Sequence, residues 1–138
     1  MIVRPAVPAD LPAWKAMRRR LWPESGEDDL EQEPPMFGLV AEEEGRLVGF
    51  AEASVRNYAE GAPGGPSAYL EGIWVEPEFR RRGIAGALLA GVEAWARRRG
   101  FGWLGSDALL DNDVSHRWHR RSGFAEVERI VVFGKTLR

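Results

Sequence analysis

No cysteine occurs among the 138 residues, which excludes disulfides, thiolate nucleophiles and cysteine metal sites. Histidine is scarce as well: His116 and His119 alone are too few for a metal centre without carboxylate help. Long apolar runs, a signal peptide and lipidation motifs are missing, so a cytoplasmic protein away from the membrane is expected. A strong charge of either sign is missing too. The net charge of −2 and pI near 5.8 argue against general nucleic-acid affinity. Repeats and low-complexity tracts do not occur. What remains is a chain with 44% hydrophobic and 29% charged residues, the profile of a single globular domain over 1–138.

Lysine is almost absent: all but Lys15 and Lys135 of the 19 basic residues are arginine. Their placement carries more information than their number. Arginines cluster at 18–20, 80–82, 97–99 and 117–121, whereas acids cluster at 24–33 and 42–44. A polyanion and a cation could each find a side.

Patterning predicts a first strand at Ile2–Ala6, stopped by prolines, and a helix over Leu11–Leu21 capped by Asp10. The acidic Glu24–Pro35 stretch is expected to hold a short helix around Asp28–Glu33. Met36–Glu43 and Arg46–Val55 read as strands joined at Glu44-Gly45, with Val48, Phe50 and Glu52 in one row. After a glycine- and proline-rich loop, Tyr69–Val75 reads as the central strand. A helix from Gly83 to Arg99 follows, with Ile84, Leu88, Val92 and Trp95 at helical spacing and Gly100 just past its end. Phe101–Asp107 is expected as a strand parallel to Tyr69–Val75 through a right-handed crossover. A last helix should run from Asn112 or Asp113 to Arg121, and a last strand over Val127–Phe133.

Leu70 to Gly86 is the stretch around which the rest is arranged. Gly83 and Gly86 let backbone approach a ligand, and the orphan amides of a helix start point toward it. Arg80, Arg81 and Arg82 add positive charge suited to a phosphate or pyrophosphate. The P-loop string and the dinucleotide Gly-x-Gly-x-x-Gly fingerprint are both missing. Instead, Arg80-Arg81-Arg82-Gly83-Ile84-Ala85 resembles the Arg/Gln-x-x-Gly-x-Gly/Ala signature of the GCN5-related N-acetyltransferase (GNAT) superfamily, whose loop holds the pyrophosphate of acetyl-coenzyme A. Residues 112–124 resemble the second signature of that superfamily, Asn-x-x-Ala-x-x-x-Tyr-x-x-x-Gly-Phe, through Asn112, Ser115, Gly123 and Phe124. His119 stands where tyrosine is usual.

Leu21-Trp22-Pro23, Glu52–Arg56, Leu70–Val75, Gly105–Ala108, Asp111-Asn112 and Glu126–Arg129 extend the resemblance to aminoglycoside 6′-N-acetyltransferases. The resemblance implies an α/β fold with a mixed, mostly antiparallel sheet flanked by helices and two splayed parallel central strands. It implies acetyl-CoA as co-substrate, no metal, an aminoglycoside partner, drug resistance as the consequence, and frequent homodimers to which C-terminal strands contribute. It places cofactor contacts at Ile73, Trp74, Val75, Arg81, Arg82, Gly83, Ile84, Ala85, Gly86 and Asn112, and substrate contacts at Trp22, Tyr58, Glu71, Asp107 and Glu128.

Physical chemistry agrees with that map. Carboxylates at strand ends attract and orient a polycation, and Trp22 and Tyr58 offer flat faces to sugars or ammonium groups. A glutamate such as Glu71 in an apolar strand needs a partner or water. Direct attack of a neutral 6′-amine on the thioester would use backbone amides along Ile73–Val75 for the oxyanion. Glu71 or Asp107 would accept the proton, and His119 would protonate the leaving thiolate. Three other readings stand beside this one: acetylation of another small amine, polyamine or peptide N-terminus; a coenzyme A sensor without turnover; and an arginine-rich nucleic-acid module, disfavoured by the overall acidity.

Overall fold

Alternating apolar residues on successive short segments build one five-stranded sheet in the order β1-β2-β3-β4-β5. The computed structural model describes residues 1–24, 30 and 33–138; the short helix expected around Asp28–Glu33 falls on residues outside that description. The strands are β1 (Ile2–Pro5), β2 (Phe37–Glu43), β3 (Arg46–Arg56), β4 (Ser67–Val75) and β5 (Leu104–Gly105), and the helices are α1 (Leu11–Leu21), α2 (Ile84–Arg98) and α3 (Asp113–Arg121). β1 to β4 pair antiparallel, and β4 pairs parallel with β5. Met1–Asp107 forms one compact unit and Ala108–Arg138 a second.

Within the first unit the strand period of two sends alternate side chains to opposite faces. Phe50 and Val40 meet Trp14 and Met17 of α1 together with Leu30 in one buried cluster. On the other face Gly49 lies under Leu88 of α2 and Gly91 of α2 lies over Leu39, while Phe37 stacks on Trp95 with centroids 5.1 Å apart. Phe50, Leu88 and Val92 are fully enclosed, and each contributes roughly 1.5–3 kcal/mol through burial. The hairpin turn forms as expected, with Glu44 at φ 50° and Gly45 at φ 76°, the left-handed pair that a two-residue hairpin requires.

Three expectations are corrected. Asp10 does not cap α1 with its side chain; its carboxylate accepts from the Val7 amide and from Arg4. The partner arginine wins because it supplies two charge-assisted bonds. The strand expected over Phe101–Asp107 is cut to two residues, since only Ala68–Leu104 and Tyr69–Gly105 pair. The Tyr69 ring occupies the space that a Gly105 Cβ would fill, within 2.8 Å. Beyond that rung β4 carries no ladder on its β5 side among the described residues. In the second unit, Val127–Phe133 is not a strand, and Val127, Ile130, Val131, Val132 and Phe133 are exposed. A strand is stable only where a neighbour takes up its amides and carbonyls, and this segment has none in the single chain among the described residues.

Candidate active site

The β3–β4 ladder slips by one residue: Glu52 faces Gly72, and Ala53 faces Leu70. Glu71 is therefore the extra residue of a β-bulge on β4. A bulge re-aims the side chain it inserts, so Glu71 leaves the inside–outside alternation of its strand. It leans toward the end of β3 and the residue past β5. There Arg56 donates to both of its oxygens, Nη2 to Oε1 at 2.6 Å and Nε to Oε2 at 2.9 Å, and the Ser54 hydroxyl donates to Oε2.

Asp107 joins the same group. The Tyr69 hydroxyl donates to its Oδ2 at 2.6 Å, and Arg56 Nη2 lies 3.9 Å from that oxygen. The guanidinium lies over the Tyr69 ring, its carbon 3.6 Å from the centroid. Burial raises the pKa of Glu71, but the hydrogen bonds from Arg56 and Ser54 and the charge of Arg56 outweigh it, leaving the carboxyl below its ordinary value. Burial and the bond to Asp107 push the Tyr69 phenol up, and the bonds from Arg56 to Glu71 raise the guanidinium further. The cluster thus gathers two acids, a phenol held neutral and one permanent cation.

The aromatic candidates divide. Trp22 is half-buried, edge-on to Phe50 at 6.3 Å and beneath Arg18 at 5.3 Å. Its ring rests on Gly72, where a Cβ would come within 2.4 Å. It thus closes α1 against the sheet and lies beside the bulge. Tyr58 stands 67% exposed in the loop after β3, where a ring has no core to fill. A cavity of about 240 Å³ lined by Ala6, Val7, Pro8, Leu11, Trp14, Leu30 and Pro34 involves none of the candidates.

At the start of α2, Gly83 occupies the N-cap at φ 81° and Arg81 also takes a left-handed φ of 64°. Arg81, Arg82, Gly83 and Gly86 are exposed. Arg80 is withdrawn from the loop: it donates to the Val75 carbonyl at 2.8 Å and covers the Trp74 ring. The Ile84 side chain is buried, so it offers only its amide. Trp74 packs toward the α1-side core, with a buried Nε1 that has no hydrogen-bond partner among the described residues. Ile73–Val75 therefore present backbone, not side chains, at the open edge of β4.

In the second unit Asn112 accepts from the Ser115 amide at 3.1 Å and so caps α3. His119 Nδ1 lies 2.8 Å from the Ser115 carbonyl; a carbonyl can only accept, so the ring proton sits on Nδ1. The ring packs edge-on against Trp118 and Phe124. Glu128 is exposed in the segment without regular structure.

The model of the acetyltransferase (GNAT) family matches residues 10–124. The aminoglycoside N(6′)-acetyltransferase type 1 of Stenotrophomonas maltophilia is 39% identical over 140 residues, covering 95% of this chain and 90% of that one. This chain belongs to the aminoglycoside 6′-N-acetyltransferase family of GNAT enzymes. In structure it resembles the apo aminoglycoside antibiotic 6′-N-acetyltransferase of Acinetobacter haemolyticus, with a TM-score of 0.89, 34% identity and full coverage of both chains. The acetyltransferase AAC(6′)-Iy, in complex with a bisubstrate analogue, CoA-S-monomethyl-acetylneamine, gives a TM-score of 0.89 at 33% identity over 99% of this chain and 98% of that one.

The residues of this acetyltransferase fit acetyl-CoA. A Cβ on Gly83 or Gly86 would meet nothing within 4 Å, so the helix start is open to a bulky anion. The unladdered edge of β4 leaves backbone groups for an amide-bearing arm. Within the first unit the fold brings together Glu71 and Asp107. His119, Asn112 and Glu128 belong to the second unit. Ser54, Arg56 and Tyr69 join the carboxylates without having been singled out in the sequence. An arginine closing a strand beside a neighbour that carries a glutamate was the available signal for Arg56.

Proposed function

We propose that this enzyme acetylates the 6′-amine of aminoglycosides by direct transfer from acetyl-CoA, conferring resistance to them. The observation that carries this reading is the carboxylate pair Glu71 and Asp107 gathered at the open edge of β4. Two carboxylates, with the Trp22 ring against Gly72 beside the bulge, suit a polycationic sugar better than a neutral or anionic substrate. Bound along β4 and the start of α2, acetyl-CoA supplies the activated acetyl group.

The protein's own part is positioning, proton removal and charge stabilisation. The amides of Ile73–Val75 donate to the carbonyl oxygen on which negative charge develops. Exposed amides at Gly83–Gly86, with Arg81 and Arg82, hold the pyrophosphate. The Nδ2 of Asn112, not engaged in its cap, serves the pantetheine arm. Glu71 stays ionised and orients the substrate's ammonium. Asp107 accepts the proton directly or through water, since one of its oxygens carries no bond among the described residues while both of Glu71's are engaged. Trp22 and Tyr58 flank the sugar and Glu128 adds a further contact. His119, once protonated, donates to the departing thiolate.

The enzyme works as a cytoplasmic homodimer, with Val127–Phe133 finding in a second copy the ladder it lacks among the described residues of one chain. Its five exposed apolar side chains, 51–89% accessible, favour that arrangement. Sedimentation of the parent and of Val131→Asp checks it, with the variant expected to be monomeric.

The deciding experiment mixes purified protein, acetyl-CoA and kanamycin or tobramycin and measures free thiol. Release with drugs bearing a 6′-amine, and none with analogues lacking it, is expected. Thiol release with spermidine but with no aminoglycoside would assign the site to another amine; release with neither would overturn the reading.

A further inference from the structure

We propose that Arg56 is a specificity-determining residue: an internal cation that occupies the space between Glu71 and Asp107 and competes with the substrate's ammonium for them. This deepens the proposed function and rests on it for the identity of the substrate. The geometry is that of a cation already in place. One guanidinium makes two hydrogen bonds to Glu71, reaches Asp107 at 3.9 Å and lies on the Tyr69 ring. Together these are the contacts that a charged amine would make with carboxylates and an aromatic face. The side chain remains 43% exposed and is carried at the very end of β3, long enough to turn aside without unfolding the sheet.

Two consequences follow. The pair of carboxylates presents one net negative charge instead of two, so a singly charged amine gains little there. A substrate with several ammonium groups can displace Arg56 and still neutralise both acids. Arg56 therefore lowers affinity for all cations and selects for those carrying more charge. It also fixes the orientation of Glu71, so removing it should lower KM through the lost competition and kcat through the lost orientation.

The test compares the parent with Arg56→Met and Arg56→Lys. Arg56→Met is expected to lower the KM for kanamycin about 3- to 10-fold and steepen its dependence on ionic strength, because one more uncompensated charge faces the substrate. kcat should fall several-fold and the KM for acetyl-CoA stay unchanged. Arg56→Lys keeps the charge and loses the fork, so its KM for kanamycin should stay within about twofold of the parent. A KM for kanamycin that rises or stays put in Arg56→Met, or that falls equally in Arg56→Lys, would overturn the proposal. Should Arg56→Met fail to fold, Arg56→Gln gives the same charge change with a polar head. Calorimetric titration with spermidine measures the competition without acetyl transfer. Tighter binding to the charge-removing variant supports the role of Arg56 even if the parent acetylates no aminoglycoside, and equal or weaker binding defeats it.

Discussion

Glu52 and Glu71 sit almost side by side on adjacent strands, separated by a single slip of the ladder, and each has an arginine partner. Their surroundings differ in the direction that matters. Glu52 is 3% exposed beneath α1, where it accepts from Trp14 Nε1 at 3.0 Å and faces Arg18 Nε at 3.2 Å. Glu71, on the bulge, keeps 28% of its side chain accessible and meets Arg56, itself 43% accessible. The first pair is sealed between helix and sheet and orders the packing of α1. The second is open to solvent and can exchange its partner. A buried acid is not by itself a sign of chemistry; an acid whose cation can be displaced is.

The contrast is broken most directly by removing the charge from Glu71. Glu71→Gln should reduce kcat/KM for kanamycin about 100-fold, the scale expected when a substrate-orienting charge is lost, with the KM for acetyl-CoA unchanged. The sign of the pH effect follows from its lowered pKa. A carboxyl depressed in the folded state adds stability above its unfolded value and loses it as pH falls through the lower folded value. The acid limb of the kcat/KM profile should thus lie below the ordinary carboxylate range, and Arg56→Met should move it upward. An equal loss of acetyl-CoA affinity in Glu71→Gln would place Glu71 elsewhere in the mechanism.

The opposite result is expected at the sealed acid. Glu52→Ala removes the acceptor of the Trp14 indole and one buried partner of Arg18, at a cost of about 2–4 kcal/mol to folding. Thermal unfolding should fall by several degrees while turnover per folded molecule stays within about twofold. A catalytic loss exceeding that of Glu71→Gln, with melting unchanged, would reverse the assignment of the two acids.

The difference between these acids explains what could be read in advance. Local signals were sufficient for α2, since Ile84, Leu88, Val92 and Trp95 repeat at 3.6 residues and Gly83 and Gly100 mark its ends with positive φ. The Glu44-Gly45 turn and the Asn112 cap are equally local. Glu71 and Asp107 were legible as candidates because a carboxylate in an apolar strand and another past a parallel strand's end are anomalies of residue type. The bulge that turns Glu71 outward was not, since it exists only in the register between β3 and β4. Arg56 stayed hidden for the same reason: its bonds to Glu71 join residues 15 apart. The shortness of β5 shows only in its two rungs with β4, and Val127–Phe133 has no strand partner among the described residues. Non-local pairing is the common term.

A smaller effect tests whether the cofactor loop is independent of the acids. Gly83→Ala puts a Cβ on a residue at φ 81°, costing roughly 1–2 kcal/mol in backbone strain. The expected outcome is a KM for acetyl-CoA raised about 10-fold with kanamycin binding by calorimetry unaltered, the loss matching that strain. Parallel weakening of both ligands would mean that the helix start and the carboxylates move as one body.

Tyr69 provides the finest probe, because among the described residues its hydroxyl bonds Asp107 alone. Tyr69→Phe keeps the ring on which Arg56 lies and the contact with Gly105, and deletes the 2.6 Å bond to Oδ2. One hydrogen bond to a solvent-accessible carboxylate is worth about 1 kcal/mol, so kcat should drop about 3- to 5-fold with little change in either KM or in melting temperature. The direction discriminates between two roles for Asp107. If it accepts the substrate's proton, kcat should carry the whole effect, because the lost bond positions the acid that receives it. If Asp107 only attracts the drug, kcat should stay where it was and KM should carry the whole effect.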